Sequence, residues 1–211
     1  MAELKLLQRV LGPVMTNCYI LIDKDNKEAV IIDPADRADV LDKLLKEEGA
    51  ELKSMLLTHA HFDHVSAVPE LRKMYPAAEV IIGEGDQELL GNAMLNLSAV
   101  MGDSPVTFDP DRTVSDGETM EVLGHTVKCI EVPGHTKGGM CYYFEDLKVI
   151  FDGDTLFRGS VGRSDFPTGD EEALLRSISE KLFSLPDDTV VFPGHNEQTT
   201  IATEKKYNFY F

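Results

Sequence analysis

The feature that most constrains this chain is the stretch THAHFDH at residues 58–64, which holds three of its six histidines and an aspartate. Side chains alternate along a strand, so His59 and His61 can point the same way where the preceding apolar strand ends. The chain then turns, and Asp63 and His64 can face the same pocket. Imidazole and carboxylate groups suit zinc, iron and other transition metals. Four such groups exceed what one tetrahedral zinc ion with an open position takes from a protein, so the stretch predicts contributions to two adjacent metal ions.

Two further histidines occur in nearly identical contexts at predicted strand ends. His135 ends VPGH and His195 ends FPGH. A Pro-Gly pair makes a tight turn that can lift the following imidazole out of a sheet edge. Asp154, in FDGDTLF, also follows a strand and is a candidate bridging carboxylate, with Asp152 as the competing carboxylate two residues earlier. Both histidines are therefore predicted to join the same metal centre.

The remaining polar candidates have structural interpretations. His125, in LGHTV, is predicted to lie in a hairpin turn outside the metal centre. Asp33, in IIDPAD, either orients the centre from behind its ligands or caps a turn, and both alternatives stay open. The cysteines are three, scattered and without a CxxC pair, which predicts small buried residues in strands rather than disulfides or thiolate ligands.

Hydrophobic periodicity predicts an α/β protein organised as one domain over residues 1–211. The predicted elements are strands at 17–23, 28–34, 52–59, 78–83 and 189–196, helices at 38–49, 65–75 and 170–186, hairpins around Gly124 and Asp146, and a helical, mobile segment at 84–105. Two blocks of strands, each followed by helices, predict two packed sheets with helices on both outer faces.

The formal net charge of −17 disfavours nucleic acid and anionic membrane as partners, because both need Lys/Arg neutralisation. No stretch approaches the roughly 20 apolar residues of a membrane-spanning helix, and the N-terminus lacks the pattern of a secretory signal. The expectation is therefore a cytoplasmic protein, a monomer or small homo-oligomer, that acts on a small molecule.

The ordered motifs THAHFDH, PGHTKGG, DGDTLF and PGHN resemble the metallo-β-lactamase superfamily. The flanking stretches TNCYILID, IIDPAD, LFRGSVGRSDFPTGD and TTIATEKKYN are similar to the glyoxalase II branch, the hydroxyacylglutathione hydrolases, and especially to its short bacterial members. The resemblance extends from about residue 16 to residue 208.

This resemblance implies a four-layer αββα sandwich with the metal site at one edge between the two sheets. The implied first metal set is His59, His61 and His135, and the second set is Asp63, His64 and His195, with Asp154 bridging them. Two divalent ions are implied, with Zn²⁺ preferred and iron or manganese as alternatives. Asp63 and His64 are also predicted to serve catalysis.

The implied reaction is hydrolysis of S-lactoylglutathione or a related acyl-thiol by metal-activated water. No GxSxG or other nucleophile pattern competes with this interpretation. A thiol has a pKa of about 8.5, so the leaving thiolate needs no dedicated general acid. The GRSDF stretch is shared with the mononuclear-iron persulfide dioxygenases of the same superfamily, which remain an alternative, as does a lactone or ester hydrolase.

Arg163, in VGRSDF, and Lys137, in GHTKGG, are the candidate substrate-binding residues, with an exposed turn as the other interpretation of Lys137. Asp165 and Glu197 stand where the glyoxalase II resemblance would place tyrosines that contact glutathione. Acidic groups disfavour a carboxylate-rich tripeptide, so the expectation is weakened or altered glutathione recognition.

Overall fold

The computed structural model describes residues 3–211 and contains two six-stranded sheets. The strands of the first sheet, in spatial order, are β1 (Leu4–Leu11), β2 (Thr16–Asp23), β3 (Glu28–Ile32), β4 (Glu51–Leu57), β5 (Glu79–Gly83) and β6 (Arg112–Val114). Strands β1 to β3 pair antiparallel, and β3 to β6 pair parallel. The carboxyl ends of β3, β4 and β5 therefore meet at one edge of the sheet.

The second sheet mixes antiparallel and parallel pairing. Its strands are β7 (Thr119–Val122), β8 (His125–Glu131), β9 (Met140–Phe144), β10 (Val149–Gly153), β13 (Val190–Pro193) and β14 (Thr199–Thr200). The spatial order is β14-β13-β10-β9-β8-β7, and β10 and β13 run parallel. The short strands β11 (Leu156–Phe157) and β12 (Ser160–Val161) form a separate hairpin.

Seven helices accompany the sheets in the described part of the chain. They are α1 (Ala38–Glu48), α2 (Phe62–Val65), α3 (Val68–Met74), α4 (Gln87–Leu90), α5 (Ser98–Met101), α6 (Glu171–Glu180) and α7 (Ile201–Tyr207). Helices α1 and α3 pack their leucines against the outer face of the first sheet. Helices α6 and α7 cover the outer face of the second sheet in the same way.

Strand β2 shows why these layers form. All eight of its residues are buried, because both of its faces are covered. Tyr19 and Leu21 point into the core between the sheets, where they join Tyr142 and Phe151 of the second sheet. Their neighbours along the strand, such as Ile20, enter the core beneath α1 and α3. The predicted αββα sandwich is confirmed, with one core between the sheets and one under each helical layer.

Most predicted elements are confirmed with shifted ends, and two predicted helical segments are shorter than expected. The predicted helix 65–75 is shortened to α3, Val68–Met74, because Pro69 stands in its first turn, and proline is tolerated only at a helix start. Segment 84–105 contains only a 3₁₀ turn and the four-residue helices α4 and α5. Side chains of Asn92 and Asn96 accept from nearby backbone N–H groups and so compete with a continuous helix.

His125 does not lie in the hairpin turn itself. Leu123 and Gly124 make that turn with positive φ angles, and His125 begins β8 as a buried residue. The sequence analysis does not predict strand β1. It is an edge strand, and much of its surface is exposed. Within residues 3–211, no helix combines the length and the apolar character needed to cross a bilayer.

Candidate metal centre

The seven predicted ligand residues meet at one edge of the sandwich, between the two sheets. His59 and His61 follow β4, Asp63 and His64 lie on α2, and His135 lies in the loop between β8 and β9. Asp154 and His195 follow the parallel strands β10 and β13. Loops at the carboxyl ends of parallel strands are where α/β proteins commonly bind ligands.

Six of the seven residues form two groups whose ligand atoms could each hold one ion, and a third group, His59, His64 and Asp154, overlaps both. In the first group, His59, His61 and His135, the His61 Nδ1 and His135 Nε2 atoms are 2.9 Å apart. In the second group, Asp63, His64 and His195, the Asp63 Oδ2 atom lies 3.5 Å from His64 Nε2 and 3.3 Å from His195 Nε2. Such separations suit donors arranged around a shared cation.

Asp154 lies between the two groups. Its carboxylate oxygens are 3.4 Å from His64 Nε2, 3.4 Å from His195 Nε2 and 3.5 Å from His135 Nε2. Asp152 is separated from this cluster: its Oδ2 accepts the backbone N–H of Leu156 at 2.8 Å. Gly153, between the two aspartates, has a left-handed φ of 55° and turns the chain there. Asp154, not Asp152, is therefore the carboxylate that the fold brings to both groups.

Asp33 lies behind the cluster and orients one histidine of each group. Its Oδ2 accepts from His64 Nδ1 at 2.8 Å and from the Thr58 hydroxyl at 2.7 Å. Because that hydroxyl donates to Asp33, it accepts from His59 Nδ1, 3.1 Å away. Both imidazole rings are thus oriented with Nε2 facing the cluster. Of the two alternatives for Asp33, the orienting position is the one observed.

The backbone supplies the equivalent partner for His135, whose Nδ1 donates to the Arg163 carbonyl at 2.6 Å. In addition, the hydroxyl of Thr16 donates to Asp63 Oδ2 at 2.8 Å. Buried Asp86 accepts from the backbone N–H groups of Ala60 and Gly138 and so ties together two loops that carry histidines. The sequence motifs do not reveal these supporting residues, since each contact joins distant positions.

A metal fits this donor set. The Nε2 atoms of His59 and His64 and the Oδ1 atom of Asp154 are buried, yet none has a hydrogen-bond partner among the described residues. Buried polar atoms are rarely left unpaired, so these atoms need another partner. A divalent cation would satisfy nitrogen and carboxylate donors together.

The electrostatics of the pocket also favour a cation. Burial, aided by the nearby His64, holds the pKa of His59 well below its usual value, so His59 is a neutral imidazole. For His64, burial opposes charge, but the carboxylates of Asp63, Asp154 and Asp33 outweigh it and raise the pKa well above its usual value. The pocket therefore stabilises positive charge at its centre.

Residues 11–195 match the profile of the Metallo-beta-lactamase superfamily. The chain belongs to this superfamily. Two relatives cover nearly its full length. It is 37% identical over 194 residues to the hydroxyacylglutathione hydrolase GloC of Haemophilus influenzae, covering 91% of both chains. It is 35% identical over 198 residues to the probable metallo-hydrolase YqgX of Bacillus subtilis, covering 93% of this chain and 92% of YqgX.

Solved structures agree with the fold. The BLEG-1 B3 metallo-beta-lactamase superposes with a TM-score of 0.92 at 36% identity, covering 98% of this chain and 99% of that one. TTHA1623, in a di-iron-bound form, superposes with a TM-score of 0.86 at 36% identity, covering 97% and 100% of the two chains. The chain is thus an enzyme of the metallo-hydrolase type, with the metallo-β-lactamase fold that its motifs resemble.

In this metallo-β-lactamase fold, a cleft of about 390 Å³ opens onto the cluster. Outside the predicted ligands, its lining is Val14, Phe62, Leu97, Met101, Phe157, Ser160, Val161, Arg163, Phe166 and Asn196. Arg163, a candidate substrate-binding residue, therefore reaches the cleft. Its guanidinium stacks on the Phe166 ring and makes two 2.7 Å bonds to Asp165.

Two other candidates lie elsewhere. Lys137 is not part of the cleft lining, and its ammonium group pairs with exposed Glu88. His125 is not in the ligand groups found among residues 3–211, and its Nδ1 lies 2.6 Å from Asp146 Oδ2. The three cysteines are buried free thiols, as predicted.

The glycine in the Pro-Gly-His turn at the end of β13 is required by the space around it. A Cβ on Gly194 would lie 2.4 Å from Asp154 Oδ1 and 2.5 Å from His64 Cε1. Asn17 N–H donates to the Gly194 carbonyl at 2.7 Å, and the Tyr19 hydroxyl donates to the Pro193 carbonyl at 2.7 Å. The turn is held tightly against the cluster, and only glycine fits there.

Proposed function

We propose that the enzyme hydrolyses an acyl thioester in this cleft with two divalent metal ions. His59, His61 and His135 would hold one ion, Asp63, His64 and His195 the other, and Asp154 would bridge them. The observation that carries the proposal is the position of Asp154, whose oxygens lie within 3.5 Å of a histidine nitrogen from each group. The hydroxyacylglutathione hydrolase named among the relatives supports the thioester as substrate.

Divalent ions held by these residues would supply a lowered water pKa and polarisation of a carbonyl oxygen. The protein's part is to keep the donors fixed. Asp33, directly and through Thr58, sets the Nε2 atoms of His64 and His59 toward the cluster. Thr16 holds Asp63 by a hydrogen bond, and apolar side chains such as Phe157 and Val161 line the cleft. Fixed donors need no reorganisation as charge develops on the carbonyl.

The chemistry of the leaving group favours a thioester substrate over an amide substrate. Apart from the predicted ligands, the described cleft lining contains no carboxyl, imidazole, phenol or ammonium group that could protonate it. A thiol with a pKa of about 8.5 departs as thiolate, whereas an amide nitrogen needs a proton. The β-lactamase named among the structural neighbours makes β-lactam hydrolysis the second candidate, and it would require a proton from another source.

The charges at the mouth disfavour glutathione as the thiol. Arg163 is engaged by Asp165, and Arg158 pairs with Glu197 at 2.5 Å. Both acidic residues stand where the glyoxalase II resemblance would place tyrosines. A thiol carrier without extra carboxylates therefore suits this mouth better than the glutathione tripeptide.

The test is to measure turnover by the zinc-, iron- and manganese-loaded enzyme on four substrates. These are S-lactoylglutathione, the lactoyl thioester of N-acetylcysteamine, nitrocefin, and glutathione persulfide with oxygen consumption recorded. A kcat/KM for either thioester above about 10⁴ M⁻¹s⁻¹, lost in His59→Ala, is the expected result. Turnover confined to nitrocefin would replace the proposal with β-lactam hydrolysis. Oxygen consumption with persulfide would instead support the dioxygenase alternative.

Replacing Asp165 tests the charge argument. Asp165→Asn releases Arg163, so KM for S-lactoylglutathione should fall about two- to fivefold, the range expected of an exposed ion pair. KM for the neutral thioester should change less, and added salt should reduce the difference. Asp188→Asn, which removes an exposed aspartate paired with Lys148, is the matched control. Equal changes for both thioesters in Asp165→Asn would contradict the charge argument.

A further inference from the structure

The segment from Asn92 to Val106 forms one wall of the cleft. Leu97 and Met101, at the start and end of helix α5, contribute its apolar surface beside Phe62 of α2. Met101 leaves 48% of its surface exposed, although it lies at the mouth of a catalytic cleft. Covering exposed apolar surface of this kind with a ligand lowers the free energy of the complex. The wall is thus suited to an apolar part of the substrate.

This wall is firmly joined to the metal centre. The backbone N–H of Phe62 donates to the Asn96 carbonyl at 2.9 Å, which links the segment to the helix that carries Asp63 and His64. Asn96 Nδ2 donates to the Val106 carbonyl at 2.8 Å and closes the segment on itself. Apolar groups on this segment are therefore held at a fixed distance from the predicted ligands.

Leu97 has an unusual backbone conformation at this point. Its φ of 67° lies in the left-handed region, which large non-glycine residues rarely occupy. Such conformations persist where surrounding contacts impose them, and they are frequent at binding sites. Leu97 is 7% exposed and lines the cleft, so the strained backbone presents an apolar side chain to the site.

A second apolar wall of the cleft comes from the β11–β12 hairpin and the residues after it. Phe157, Val161 and Phe166 line it, and the guanidinium of Arg163 covers the Phe166 ring with its charge already paired to Asp165. A substrate group between the walls would bury apolar surface on both sides. Chain length, rather than negative charge, should therefore control how tightly that group binds.

Building on the proposed thioester hydrolysis, we infer that Leu97 and Met101 form an acyl-chain subsite that selects apolar acyl groups longer than acetyl. The chain lies along the α5 wall with its carbonyl at the metal centre. The two side chains act as specificity-determining residues for the acyl group. The thiol portion lies toward Arg163.

The turnover test uses the metal-loaded enzyme and N-acetylcysteamine thioesters with acetyl, butyryl and hexanoyl groups. We expect kcat/KM to rise at least about tenfold from acetyl to hexanoyl, since each buried methylene contributes up to about fourfold. Met101→Ser should reduce that ratio, and so should Leu97→Asn, because asparagine tolerates the left-handed backbone. Met94→Ser is the matched control: Met94 is 61% exposed on the same segment but is not part of the cleft lining.

A binding measurement separates the subsite from the reaction. Calorimetry with S-hexyl- and S-ethyl-N-acetylcysteamine, thioethers that cannot be hydrolysed, should show the hexyl compound binding at least about tenfold more tightly. Met101→Ser should remove most of that preference. Equal binding of the two thioethers, or a preference unchanged in both variants, would overturn the subsite. Thioether selectivity without turnover of any thioester would retain the subsite and reject the proposed function.

Discussion

At the scale of single residues, Asp33 is the carboxylate on which both predicted metal groups depend. It bonds directly to His64 and, through the hydroxyl of Thr58, to His59. Its φ of 51° is a left-handed conformation that aspartate tolerates better than most residues do. The residue thus combines a backbone requirement at the end of β3 with an electrostatic function behind the ligands.

Asp33→Asn should weaken metal binding, because one amide oxygen cannot replace both carboxylate oxygens. The Thr58 N–H, the Thr58 hydroxyl and His64 Nδ1 together use both oxygens of Asp33. The expected loss of zinc affinity is about 10- to 100-fold, measured by competition with a chromophoric chelator. Asp36→Asn, on the same loop, is the control. An unchanged affinity in Asp33→Asn would contradict the orienting function.

Two histidines should respond differently to removal. His59→Ala should lose bound metal and nearly all activity, because His59 contributes a buried, otherwise unpartnered Nε2 to the cluster. His125→Ala should retain its metal but lose about 1 kcal/mol of stability, because its hydrogen bond to Asp146 is removed. Metal analysis and thermal unfolding of both variants provide the check. Equal metal loss in the two variants would show that the site map is wrong.

At the scale of elements, the centre depends on strand ends and on the turns that follow them. Strands β3, β4, β10 and β13 each end one or two residues before a residue that orients or joins the cluster. The parallel pairing of β3 with β4, and of β10 with β13, brings those ends to one edge. No helix of substantial length carries a predicted ligand, since α2 has only four residues. The strands position the loops, and the loops carry the chemistry.

Gly194→Ala tests the closeness of the β13 turn. The added methyl would approach Asp154 Oδ1 and His64 Cε1 to about 2.5 Å, well inside van der Waals contact, so the turn must shift. We expect at least half of the bound metal to be lost, with lowered activity. Gly91→Ala is the control, since its Cβ would be 3.7 Å from the nearest atom, the Glu88 carbonyl. Full metal content in Gly194→Ala would show that the turn relaxes without harm.

At the scale of the whole molecule, the predicted ligands join the two halves of the sandwich. Four of them follow or accompany β4 of the first sheet, and three belong to loops of the second. A core of side chains from both sheets lies beneath them. Bound metal should therefore stabilise the packing of one sheet against the other as well as the site.

Removal of metal should lower the melting temperature. At a free metal concentration about 1,000 times Kd, binding contributes about 4 kcal/mol, which corresponds to roughly 8–16 °C for a protein of this size. Scanning calorimetry with and without EDTA measures the shift. His59→Ala should show a much smaller response to EDTA. A wild-type melting temperature unaffected by the chelator would contradict the proposed metal binding.

The sequence by itself determined the fold class and the donor chemistry. Strand alternation is a local property with a period of two, so the buried strands and the paired orientation of His59 and His61 can be inferred from neighbouring residues. The Pro-Gly-His turns can also be inferred from the sequence, because they depend only on neighbouring residues. The helix predicted over 84–105 is reduced to short helical turns, because asparagine side chains compete there with backbone hydrogen bonds.

The tertiary structure decided between the carboxylates that the residues alone had left open. The choice of Asp154 over Asp152 depends on the left-handed turn at Gly153 against Thr58, and the function of Asp33 depends on the pairing of β3 with β4. Arg163 reaches the cleft and Lys137 does not, although both stand next to a glycine. The physical reason is shared: these contacts join residues far apart in the chain, and their distances are set by sheet register rather than by local spacing.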